Sequence, residues 1–313
     1  MKTMKTITFL LCAITWCTTV AQQDNYGITL GAHIPAQAED IPQGAKQFLL
    51  NKLGKIITDN GISDDVNNPR FILVPNVTVL SKNITPTAPP KIAYALEVTL
   101  YIGDGIGGNL FQSQSIMAKG VGTNELKAYT SAIRSINTSH PKIKKLINDG
   151  KNEILAYYDQ QCDAIGKKAA ALEASGQTTK ALITILNIPE ASNCFNQQNR
   201  KIASLYKKAI NEDCSRKLNA AKALWAGNQD LGTANTIGEL LASIEPRASC
   251  FSEVKSFYQK LSDRVMELSD RGWEYQLMEL EVDKSEIEAA RAIGVAFGTN
   301  QAQNVTYNTR GWF

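Results

Sequence analysis

Cys162-Asp163-Ala164-Ile165 opens a stretch that closes on Asn193-Cys194-Phe195, and Cys214-Ser215-Arg216-Lys217 opens a second that closes on Ser249-Cys250-Phe251. Cys214 follows Cys162 by 52 positions. Ala169, Ala171 and Leu172 stand at the same offsets from the first cysteine as Ala221, Ala223 and Leu224 do from the second. Near the far ends, Ile188-Pro189 is echoed by Ile244-Glu245-Pro246. A fixed period with matched punctuation is the signature of a duplicated unit, here a helical one. Each copy reads as a helical hairpin. Residues 162–174 form an outward helix, Ser175-Gly176-Gln177 a break, and residues 178–188 a returning helix that Pro189 stops. The second copy goes out along 214–226, turns at Gly227-Asn228-Gln229-Asp230 and returns along 231–244.

The helix lengths bear on the cysteines. At ~1.5 Å per residue the outward and returning helices each cover roughly 20 Å, so Cys194 arrives beside Cys162 and Cys250 beside Cys214. Residues 195–213 read as one continuous helix, which would hold Cys194 and Cys214 about 30 Å apart, too far for a bridge. Two intra-repeat disulfides are expected. A four-cysteine zinc site is disfavoured, because no two cysteines show the close spacing that zinc ligands use.

Residues 1–21 have the anatomy of an export signal. Lys2 and Lys5 precede an apolar run over 7–16, and Thr19-Val20-Ala21 offers a small-residue cleavage site. The run is too short to span a bilayer. Cys12 and Cys17 lack the small residues that precede a lipidated cysteine, and cleavage after Ala21 leaves four cysteines, all in the repeats. An even cysteine count in an exported chain fits an oxidising compartment. With Lys2 and Lys5 removed, the net charge falls from +3 to about +1, which gives no electrostatic basis for nucleic acid or an anionic membrane. Four sequons, at Asn76, Asn83, Asn137 and Asn304, matter only in a eukaryotic pathway; the signal is of bacterial style.

The segment 22–140 reads as an α+β domain. Residues 28–34 are a short strand. A helix follows with Ala45, Phe48, Leu49, Leu53, Ile56 and Ile57 on its inner face, ended by Asn60-Gly61. Residues 70–80 form a strand in which Pro75 marks a bulge or an edge. After Pro86, Pro89 and Pro90, residues 91–102 alternate strictly. A glycine turn over 103–108 leads to a half-exposed strand over 109–119. Gly120-Val121-Gly122 then links to a helix over 123–137 with Leu126, Tyr129, Ile133 and Ile136 inward. The order β-α-β-β-β-α describes a mainly antiparallel sheet with two packed helices. From Pro141 a helix leads without a linker into the repeat domain, 141–299. There a helix after Phe251 lacks the next cysteine, as a capping unit does, and residues 274–297 continue in helical style. Residues 300–313 are a tail ending in Arg310-Gly311-Trp312-Phe313.

No motif marks a catalytic centre. Gly103, Gly105 and Gly108 spell the dinucleotide fingerprint, but that motif works only where a helix follows to hold the pyrophosphate, and a strand follows here. His33 and His140 lie in different segments, outside any metal-binding pattern, and no nucleophile elbow exists. Asp64-Asp65 with Asn67 and Asn68 reads as a solvated turn rather than a calcium site. Neither cofactor nor metal is expected. Tyr206, Trp225, Tyr258 and Trp273 read first as packing between helices. Trp225, Trp273, Trp312 and Phe313 are the candidate partner contacts, the last two through a tail able to add to a partner's sheet edge.

Residues 28–137 resemble the small α+β module of bacterial envelope proteins of the curli-secretion, TolB N-terminal and LPP20-lipoprotein type. The carrying features are Phe48-Leu49, Arg70-Phe71-Ile72-Leu73, the alternating strand from Tyr94 to Ile102, and Gly120-Val121-Gly122 before a helix with Ala128 and Ala132. The likeness covers about a third of the chain and lacks the lipid-anchor cysteine, the membrane hairpins and the propeller of those proteins. It implies an envelope location and a protein-binding role. The repeats resemble arrays of the TPR type, with a period of 52 in place of 34. The expectation is a periplasmic or extracellular scaffold of a Gram-negative envelope, non-enzymatic, with a protein partner, no nucleic acid, no membrane span, and at most peripheral membrane association. The alternatives are an envelope hydrolase with a site between the two parts, and a surface adhesin for glycan or a host protein.

Overall fold

A computed structural model describes residues 28–35, 41–62, 69–279, 285–292 and 307–312. The signal segment, the Asp64–Asn68 turn, the Asn304 sequon and Phe313 lie outside these residues.

The chain is α+β. A four-stranded sheet is built from β1 (Leu30–Ala32), β2 (Phe71–Thr85), β3 (Lys91–Asp104) and β4 (Leu110–Gly122), in the order β1-β2-β3-β4. Strand β1 runs parallel to β2 after a crossover through α1 (Gln43–Asp59), and the other pairs are antiparallel. In β3 the alternation holds: Tyr94, Leu96, Val98, Leu100 and Ile102 are buried on one face. Beyond the short β1, β2 is an edge, and Pro75 sits there without disturbing its pairing with Leu100. The register shift in β2 falls between Val79 and Ser81, not at Pro75.

Helices α1 and α2 (Glu125–Ser135) cover the inner face. Asn124 caps α2 by accepting from the Lys127 N–H. Two inner-face assignments are corrected: Phe48 is 42% exposed and Leu126 43%. Leu126 lies over Gly44, and the Phe48 ring packs under the Arg134 guanidinium at 5.2 Å, so both mark the α1–α2 seam at the surface and not the core. The supposed link Gly120-Val121-Gly122 belongs to β4. Along its inner face β4 runs Ile116, Ala118, Gly120 and Gly122, shrinking toward α2 until backbone meets backbone. A Cβ on Gly120 would stand 2.1 Å from the Ala132 nitrogen.

Helix α3 (Pro141–Gln160) runs from the sheet into the array, and its Gly150 admits Ile102. The first hairpin is α4 (Cys162–Ala174) and α5 (Thr178–Leu186). After α6 (Asn193–Gln198) come the long α7 (Arg200–Gly227), α8 (Leu231–Ala242) and α9 (Phe251–Ser269). Residues 195–213 are therefore not one unbroken helix. At Asn199 the ladder tightens, with Ile202 donating to the Asn199 carbonyl, while Asp159 fixes the start of α6 by accepting from the Cys194 N–H at 2.9 Å. Both disulfides form as the hairpin geometry requires. Cys162 pairs with Cys194 at a Cα separation of 5.3 Å, and Cys214 with Cys250 at 6.2 Å. One apolar core runs from Ile28 to Ala290 through both parts.

The helical expectation for 274–297 holds only over 286–292 among the described residues; 275–279 have no regular secondary structure. There Tyr275 lies against Gly238 of α8, Trp273 stacks on Tyr258 of α9 with centroids 5.1 Å apart, and the Tyr258 hydroxyl donates to the Tyr275 carbonyl at 2.6 Å.

Candidate functional site

The glycine turn joins β3 to β4 as a hairpin, and its organising residue is Asp104. The Asp104 side chain is only 1% exposed, so its carboxylate must be fully bonded inside. One oxygen accepts from Arg70 through Nε at 3.0 Å and Nη2 at 2.7 Å. The other accepts from the backbone N–H groups of Ile106 and Gly107 at 3.0 and 2.8 Å, and the Gly105 N–H donates to the Arg70 carbonyl at 2.9 Å. Arg70 lies over the Tyr158 ring at 5.9 Å. Burial raises the Tyr158 phenol to about 12, so it stays neutral. Phe71, Phe111, Tyr157 and Tyr158 meet edge to face around this group and tie the hairpin to α3.

The same hairpin holds the C-terminal segment. Asn308 donates its N–H to the Gly105 carbonyl at 2.7 Å, and the Trp312 indole N–H donates to the Gly108 carbonyl at 2.9 Å. Trp312 is 5% exposed and packs on Ile72 and Val74, on the sheet face opposite the helices, with Tyr101 and Tyr307 beside it. The Tyr307 ring meets His33 edge to face at 4.6 Å. Burial lowers the His33 pKa and raises that of Tyr307. Two of the fingerprint glycines serve this contact. A Cβ on Gly103 would come 2.4 Å from the indole, and one on Gly105 2.4 Å from the Tyr307 ring. The run Phe71-Ile72-Leu73-Val74 carried the signal for this seat, since a strand apolar on both faces is covered on both.

The candidate partner residues thus separate. Trp312 and Trp273 are engaged within the chain, Tyr206 is buried, and Tyr258 lies in the aromatic stack. Trp225 is half-buried near the end of α7, at the tip of the second hairpin, where Leu224 is 41% exposed and Leu231, opening α8, 38% exposed. Sequence reading singled out Trp225 but missed the two exposed leucines at the same hairpin tip.

Two shallow cavities adjoin between β1 and α1. One of about 520 Å³ is lined by Ala32, Leu50, Asn51, Gly54, Lys55 and Thr58, and one of about 280 Å³ includes His33, Lys46 and Gln47. Neither lining offers a carboxylate to pair with His33. His140 caps α3 by accepting from the Lys142 N–H at 3.1 Å. Among the described residues no group of three His, Cys, Asp or Glu is placed to hold a metal ion, and no helix is long and apolar enough to cross a membrane.

No family model matches the chain, and no curated protein matches it. Among solved structures, a minor lipoprotein from Acinetobacter baumannii is similar at 18% identity over 41% of this chain and 89% of that one, with a TM-score of 0.22. A likeness at that level carries no argument about role.

Proposed function

We propose that this chain is an exported, non-enzymatic binding scaffold of a bacterial envelope, periplasmic or extracellular, that presents its helical array to a protein partner. The observation that carries the reading is the pair of cystine-closed hairpins. Buried disulfides of this kind persist in oxidising compartments, and they hold the array as a rigid surface instead of shaping a cleft. The contact surface we assign is the tip of the second hairpin, where Leu224 and Leu231 are exposed and Trp225 is half-buried. Apolar side chains beside a half-buried tryptophan form the kind of centre on which protein interfaces depend.

The test has two arms. Expressed with residues 1–21 in a Gram-negative host, the protein should fractionate outside the cytoplasm with no free thiols. Used as bait in an envelope extract of the producing organism, it should retain a protein that the double variant Leu224→Asp, Leu231→Asp loses. Cytoplasmic retention with reduced cysteines, or equal capture by both baits, defeats the reading.

A further inference from the structure

The outer face of the sheet is polar along most of its length. Asn76, Thr78, Thr99 and Ser115 lie on it, and Thr99 and Ser115 share a hydrogen bond at 2.7 Å. At the hairpin end Ile72 and Val74 form a covered apolar patch, whereas Met117 and Val121 further along the same face stay exposed, and on that patch the C-terminal segment sits. The resulting cluster is separate from the main core. Every recognition contact is short-range, and on the ligand side all of them come from one stretch of six residues, 307–312. Two carbonyls of the hairpin accept from Asn308 and Trp312, two glycines leave room for the rings, and His33 meets Tyr307. None of these contacts depends on the segment belonging to the same molecule.

We propose that this seat is a receptor for the C-terminal segment of a second copy of this chain, residues 307–312 being the same ligand bound in cis. The tethered segment competes at an effective concentration on the order of millimolar. Exchange between copies is therefore expected where the protein is concentrated or where the cis contact is broken.

Two full-length variants separate ligand from seat. Trp312→Ala leaves the seat intact and cripples the ligand; Gly105→Val leaves the ligand intact and blocks the seat, because its Cβ would strike the Tyr307 ring and otherwise meets only the Ile72 side chain. Each alone should run as a monomer in size exclusion with light scattering. Mixed in equal amounts, they should form a particle of twice the mass, and a peptide of residues 307–313 should dissolve it. A mixture of the two folded variants, checked by circular dichroism, that stays monomeric overturns the proposal. Titrating the labelled peptide into Trp312→Ala gives a readout that does not require the glycine variant to fold. Saturable binding is expected, weakened more than about thirtyfold when the peptide's tryptophan is alanine. Absence of saturation up to millimolar peptide overturns the proposal as well.

Discussion

In the helical array each hairpin closes on itself: Cys162 reaches a partner 32 positions on and Cys214 a partner 36 positions on. The sheet also has closures of that range, Arg70 to Asp104 across 34 positions among them, but its outer face is completed by Trp312, which bonds to a carbonyl 204 positions earlier. Each covalent closure in the array therefore needs only residues of its own hairpin and an oxidant, although the hairpins pack on one another and share one apolar core. The sheet's hairpin end needs nearly the whole chain. Removing a piece of the array should therefore disturb a unit and its neighbours, whereas removing residues 307–313 should uncover Ile72 and Val74 at one end of the sheet and spare the helices.

The comparison breaks most sharply at the cystines. Replacing Cys162 and Cys194 together by alanine should cost about 3–4 kcal/mol in the chain-entropy account. Hydrogen exchange should show the loss in α4 to α6, with protection in β2 and β3 retained. Equal loss in the sheet would mean that the two regions unfold as one. Next comes the helix–sheet contact. Gly120→Ala should cost about 3 kcal/mol, at the upper end of overpacking effects, because the methyl group meets backbone and not a yielding side chain. Here urea unfolding should show the sheet weakened before the array. Asp104→Ala should cost about 2–3 kcal/mol, leaving a largely covered arginine and two loop N–H groups without an acceptor. Its mark is selective: indole fluorescence should report Trp312 released while thiol protection stays complete.

The smallest effect is a pH dependence at the seat. Burial holds the folded His33 below its ordinary 6.5, so the unfolded chain takes up the proton first. The stabilisation is full above 6.5 and is drawn down as the pH falls toward the folded value. Trp312 fluorescence followed through that window should shift in the native chain and stay flatter in His33→Gln.

How much of this was legible follows the same division. The array announced itself through cysteine spacing and repeated alanines, since helical hairpins are local and their lengths follow from rise per residue. Strand β3 was legible from strict alternation for the same reason. The glycines misled. At Gly120 and Gly122 a link and a closely packed strand have the same composition, and only the shrinking series from Ile116 separates them. At Gly103 and Gly105 the residues looked like turn flexibility, yet they are spaces left for rings that arrive from the far end of the sequence. Phe48 and Leu126 fit a helical face by periodicity, but which edge of that face meets the sheet is decided by packing. The tail was read as a contact for a partner's sheet edge because nothing within its own residues names Ile72 and Val74 as its seat.

That distance has a consequence during synthesis. Chains emerge N-terminus first at about 5–20 residues per second, so the ribosome must add the 204 residues between Gly108 and Trp312 over roughly ten to forty seconds after the hairpin has appeared. Throughout that interval the Phe71–Val74 run lacks its outer cover, a short β-prone apolar segment of the kind that recruits like segments from neighbouring nascent chains. That face of the sheet is therefore among the last parts of the molecule to be completed, and it is completed only when Trp312 arrives.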